Sequence, residues 1–134
     1  MNKPASLEWL TIAFHDFKSA QILYDANHYT DSIGGDLQQS IEKILKSIIA
    51  FKNEKIPKTH DLYEIYDLIN EITFEEYEIK ILEIATEYLK EDRYPNSNYS
   101  LPKREEIKEV LDFTEKLFEK VCNIVDINLS EVQV

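Results

Sequence analysis

The sequence predicts an all-α protein, an antiparallel up-and-down bundle of four long helices plus one short helix. Three observations carry that expectation. Apolar residues recur every three or four positions through most of the chain, and strand-like alternation is absent. Only two glycines and four prolines occur in 134 residues, so helix breakers are scarce. Hydrophobic residues make up 43% of the chain and charged residues 31%, a balance that supports a packed core and is too apolar for disorder. A chain of this length is expected to form one domain, residues 1–134, with its core over about residues 6–126.

Each element follows from local pattern. The first helix is expected from Ser6 to Asn27, with Leu10, Ala13, Phe17, Ala20 and Tyr24 on one stripe and Asn27-His28 as the break. The second is expected from Thr30 to Asn53, with Ile33, Leu37, Ile41, Ile44, Leu45 and Ile48 facing the core. Gly34-Gly35 inside it costs roughly 1 kcal/mol per glycine against alanine. Such a cost fits close approach by another helix, a bend, or a later helix start. Pro57 stops the chain, Thr59 can cap, and Asp61 suits the first turn of a short helix, His60 to Asn70. Thr73-Phe74-Glu75-Glu76 reads as a capping box opening the fourth helix, which buries Ile81, Leu82, Ala85 and Leu89 and ends near Asp92. The last helix is expected to begin around Pro102 and to bury Ile107, Val110, Leu111, Thr114, Leu117, Phe118, Val121 and Val125.

Charge limits the function. A net charge of -11 argues against a general nucleic-acid binder, which needs clustered cations. The charge is uneven, however. From Lys43 to Lys58 five lysines (43, 46, 52, 55, 58) face Glu54 alone, whereas Glu64 to Asp92 carries ten acids against Lys80 and Lys90. A local anion site is therefore compatible with an acidic chain. Cys122 sits among Leu117, Phe118, Val121 and Val125 and reads as a small buried hydrophobe. The start "MNKPASLEWL" lacks a signal-peptide pattern and no run approaches 18 apolar residues, so a cytoplasmic, membrane-free protein is expected.

Three short stretches could carry chemistry. In "QQSIEKILK", Gln39, Glu42, Lys43 and Lys46 share one side of the second helix, away from Ile41, Leu45 and Ile48. They form either a solvated face with a Glu42–Lys46 pair or, given Gly35 on the same stripe, a polar pocket or subunit contact. In "KTHDL", His60 is either a helix-start residue bonding backbone or a proton-transfer group. In "DRYP", Arg93 and Tyr94 either cap a helix end or face a ligand. The other histidines, His15 and His28, show no metal spacing with His60 or with each other, so no metal or cofactor is expected. No HExxH, glycine-rich phosphate loop or nucleophile elbow is present.

Taken in order and spacing, "QQSIEKILK", "KTHDL" and "DRYP" resemble the HEPN (higher eukaryote and prokaryote nucleotide-binding) domain family, over about residues 6–126. Its Q-x-x-E-K-x-x-K, T-H-D-L and R-Y-P pattern falls here on Gln39, Glu42, Lys43 and Lys46, on Thr59, His60, Asp61 and Leu62, and on Arg93, Tyr94 and Pro95. The resemblance implies a helical bundle that dimerises and binds a nucleotide or RNA phosphate through Gln39, Glu42, Lys43, Lys46, His60, Arg93 and Tyr94. It also implies a partner, a minimal nucleotidyltransferase in a bacterial toxin–antitoxin-like pair. Other members are metal-independent ribonucleases with an R-x(4–6)-H motif, and here Asn98, Tyr99 and Ser100 stand where that histidine belongs. Catalysis is therefore not expected. The alternatives are a ribonuclease toxin using His60 and Arg93, and a purely structural helical adaptor.

Overall fold

The computed structural model describes residues 1–89 and 101–133, and every described element is helical. Six α-helices follow in order: α1 (Lys3–Asp25), α2 (Thr30–Phe51), α3 (Leu62–Asp67), α4 (Glu76–Thr86), α5 (Arg104–Val125) and α6 (Leu129–Val132). A 3-10 turn, Glu87–Leu89, tightens the end of α4. The α-helical part of the fourth helix thus stops earlier than Asp92. The short α6 was not anticipated, because its four residues are too few for a period to show.

The first two helices form an antiparallel hairpin whose contacts run in reverse order. Asn2 N–H donates to the Phe51 carbonyl at 2.8 Å, Ser40 Oγ to the Ala13 carbonyl at 2.8 Å, and Ser19 Oγ to Asp36 at 2.8 Å. Helix α5 packs on the pair through Phe118, which meets Phe14 and Phe17 edge-on at 5.9 and 5.7 Å. Every apolar residue expected to face inward on α2 is buried, as is every residue expected to do so on α5. Tyr24 is half-buried, and Leu89, at 39% exposure, is the one expected core residue of the fourth helix left exposed. Cys122 is a free, buried thiol whose pKa is raised by burial and then by Glu131, which makes it a poor nucleophile.

Two starts differ from expectation. Helix α3 is capped by Asp61, whose carboxylate accepts from Glu64 N–H at 3.1 Å, while Thr59 accepts from Asp61 N–H at 3.1 Å and orders the approach. Helix α4 is boxed by Glu75 and Glu78 in place of Thr73 and Glu76: Glu78 reaches back to the Glu75 N–H at 3.0 Å. A Thr73–Glu76 box would satisfy the N–H groups of Thr73 and Glu76, and the observed one satisfies those of Glu75 and Glu78 two residues later, so the sequence admits either register.

The glycines of α2 are accounted for within the chain. A Cβ on Gly34 would stand 2.9 Å from Cγ of Tyr88, so the glycine lets the tyrosine ring lie close on the helix. The ring cannot retreat, because Tyr88 Oη donates to Glu106 on α5 at 2.6 Å. Burial, then the Glu106 hydrogen bond, pushes the Tyr88 pKa far up, so the phenol stays protonated. Helix α2 runs unbroken through both glycines from Thr30, which removes the alternative of a later start.

Candidate functional site

Helix α2 is covered on nearly every side, and its polar stripe is consequently buried too. Gln38 is fully buried, and the Glu42 and Lys46 side chains are only 6% and 5% exposed. The solvated face that the pattern allows for Glu42 and Lys46 is therefore not what forms. A charge so placed costs several kcal/mol to desolvate unless it is paired. Pairing is complete here: Lys46 Nζ donates to Glu42 Oε2 at 2.8 Å and Gln38 Nε2 to Glu42 Oε1 at 3.2 Å. Burial works to raise the Glu42 pKa, but the bonds from Lys46, Gln38 and His60, with the Lys46 charge, outweigh it and hold the carboxyl below its ordinary value.

The third partner of that carboxylate is His60. Its Nδ1 lies 3.0 and 3.1 Å from the two Glu42 oxygens. An anionic carboxylate that already accepts two bonds requires Nδ1 to be the protonated nitrogen, which leaves Nε2 as the variable atom. The imidazole is nevertheless 73% exposed. The turn is also fixed from below, because Gln38 Nε2 donates to the His60 carbonyl at 2.9 Å. Leu62 N–H then ties the next residues to Thr86 Oγ1 on α4 at 3.1 Å. The result is a surface histidine held in one tautomer by a buried ionic network.

The expected site residues separate into three groups. Gln39, Glu42, Lys46 and His60 are brought together, Gln39 donating to Gln38 Oε1 at 2.9 Å. Lys43 is not with them: it turns to α1 and pairs with Asp16 at 2.7 Å. Arg93 and Tyr94, with Asn98 and Tyr99, lie outside the described residues. Gln38 was missed, although its position four residues before Glu42, on the same helical face, was the available signal. Of the lysine-rich segment, Lys46 and Lys52 are consumed by ion pairs, while Lys55 and Lys58 stand exposed in the loop before His60. No group of three or more His, Cys, Asp or Glu among the described residues could hold a metal ion. No helix among them is long and apolar enough to cross a membrane.

The described helices thus form an antiparallel bundle with a carboxylate-anchored histidine at its surface. The HEPN domain family model matches residues 6–125, and the chain belongs to that family. Two solved structures share the fold. One is the crystal structure of TT1696 from Thermus thermophilus, 23% identical, with a TM-score of 0.73, covering 90% of this chain and 97% of that one. The other is ST0689, described as an archaeal HEPN homologue, 16% identical, with a TM-score of 0.69, covering 93% and 99%. No curated protein matches the chain.

Proposed function

We propose that this HEPN chain binds a phosphate group of a nucleotide or RNA at His60, as a cytoplasmic homodimer. We also propose that it works beside a minimal nucleotidyltransferase in a bacterial toxin–antitoxin-like pair. One observation carries the site: an exposed imidazole whose orientation and tautomer are set by the buried Glu42 carboxylate. Such a ring offers Nε2 to a phosphate oxygen as a donor when protonated, with little rotational freedom left to lose. In this reading Gln38, Gln39, Glu42 and Lys46 position His60 and do not touch the ligand. The family pattern assigns Arg93 and Tyr94 to the same function, and the exposed Lys55 and Lys58 supply attraction at longer range. The nucleotidyltransferase and the dimer rest on family resemblance.

A second reading is favoured by the same bond. A histidine oriented by a carboxylate is also the arrangement a general base requires, and it supports a metal-independent ribonuclease built on His60 and Arg93. Against it stands the sequence after Arg93, where Asn98 and Tyr99 occupy the place of the family's histidine and cannot replace imidazole near neutral pH. Calorimetric titration of the purified chain with adenosine monophosphate and a short single-stranded RNA, in EDTA, separates the readings. Binding without cleavage, lost in His60→Ala, is expected. EDTA-resistant cleavage abolished by His60→Ala would make the ribonuclease the function. Binding unaffected by His60→Ala would contradict both.

A further inference from the structure

Away from His60, a cleft of about 380 Å³ opens between α4 and α5. Phe74, Ile81, Phe113 and Leu117 form its apolar floor, and Tyr77 stands at its edge, 63% exposed. The α5 rim has an ordered charge pattern. Glu109 and Asp112 come first and Lys116 and Lys120 follow, all lining the cleft. At 100° per residue these four fall within a sector of about 80°, so they form one straight row about 17 Å long.

We propose that this face is the surface through which two copies of the chain associate. The row of charges is complementary to its own image. A two-fold axis level with residue 114 lays α5 antiparallel to its copy, so that Glu109 meets Lys120 and Asp112 meets Lys116, each pair occurring twice. A row with the same sign at both ends would instead set like charges against each other in that contact. The bonds these groups make within one chain do not prevent the exchange. Lys120 reaches Glu78 at a long 3.4 Å, Asp112 holds the exposed Lys108, and Glu109 and Lys116 have no ion pair among the described residues. Tyr77 gives the contact an aromatic anchor with an apolar cleft to enter, which is the centre-and-rim anatomy of a specific interface.

The proposal rests on the homodimer reading above and locates the interface. Sedimentation velocity at low ionic strength tests it on wild type, on Lys116→Glu/Lys120→Glu, on Glu109→Lys/Asp112→Lys, and on an equimolar mixture of the two variants. Wild type should be a dimer, and each variant alone should dissociate with Kd raised roughly 100-fold. The mixture should recover a dimer of one copy of each, because all four pairs then set like-charged rows of opposite sign against each other. Tyr77→Ser, which changes no charge, should also weaken association. A wild-type monomer at tens of micromolar would overturn both this surface and the homodimer reading. A wild-type dimer that survives in every variant would overturn the surface alone, as would folded variants that dissociate and are not rescued by mixing.

Discussion

Glu42 is the residue on which the site depends, and its chemistry is decided by burial. Its carboxylate accepts from Lys46 and Gln38 inside the bundle and from His60 at the surface, so truncating it leaves a buried ammonium unpaired. Glu42→Ala should cost about 3–5 kcal/mol in chemical denaturation. Glu42→Leu combined with Lys46→Met, which removes both charges, should be near neutral or stabilising while freeing His60 to rotate. The pH dependence has a definite sign. A carboxyl whose pKa is lower folded than unfolded contributes stability that is fully present above its unfolded value. That contribution is lost as pH falls through the folded one. The gap between wild type and Glu42→Ala should hold from neutrality to about pH 5 and narrow below about pH 4. Much of this residue-level picture was legible: Gln39, Glu42, Lys46 and His60 were singled out by their types and spacing. Burial of Glu42 and Lys46 was not, because a polar stripe on a helix reads as solvent-facing until the number of neighbours around that helix is known. Lys43 was misgrouped for a related reason, since position on the wheel does not say which helix covers that side.

Among the elements, α2 shows why the glycine pair is not uniform. Gly34 lies under the base of the Tyr88 ring, which Glu106 fixes, whereas Gly35 faces only the far end of Leu89 at 3.4 Å. Adding a methyl gains up to about 1 kcal/mol of helix propensity at either position. At Gly34 that gain is opposed by an overpacking cost of roughly 1–3 kcal/mol. Gly34→Ala should therefore lower stability by about 1 kcal/mol, while Gly35→Ala should leave it unchanged or raise it slightly. Thermal melts of the two single variants distinguish the positions; equal effects would mean that Tyr88 is not held as described. The long periods of α1, α2 and α5 were readable because each repeats its stripe over 22 or 23 residues. Starts and ends were less so. Asp61 displaced Thr59 as a cap and Glu75 displaced Thr73, in stretches where several neighbouring residues are able to cap a helix start.

In the molecule taken whole, a buried ionic network holds one surface histidine in one tautomer, the ring that the proposed function sets against a phosphate. With a net charge of -11, the proposed anion site would be a local exception, so binding there should weaken steeply with added salt if Lys55 and Lys58 assist the approach. The most direct test is nitrogen-15 NMR of the histidine side chains during titration with adenosine monophosphate, with His15 and His28 as internal controls. Before ligand, His60 should carry its proton on Nδ1 in the neutral form. On titration its Nε2 resonance should move in a saturable way while those of His15 and His28 stay in place. The same shifts should be absent in Glu42→Leu/Lys46→Met, where the ring is no longer held. A His60 that is protonated on Nε2 in the neutral free protein, or an Nε2 signal that stays fixed while adenosine monophosphate binds, would contradict a phosphate site built on that ring.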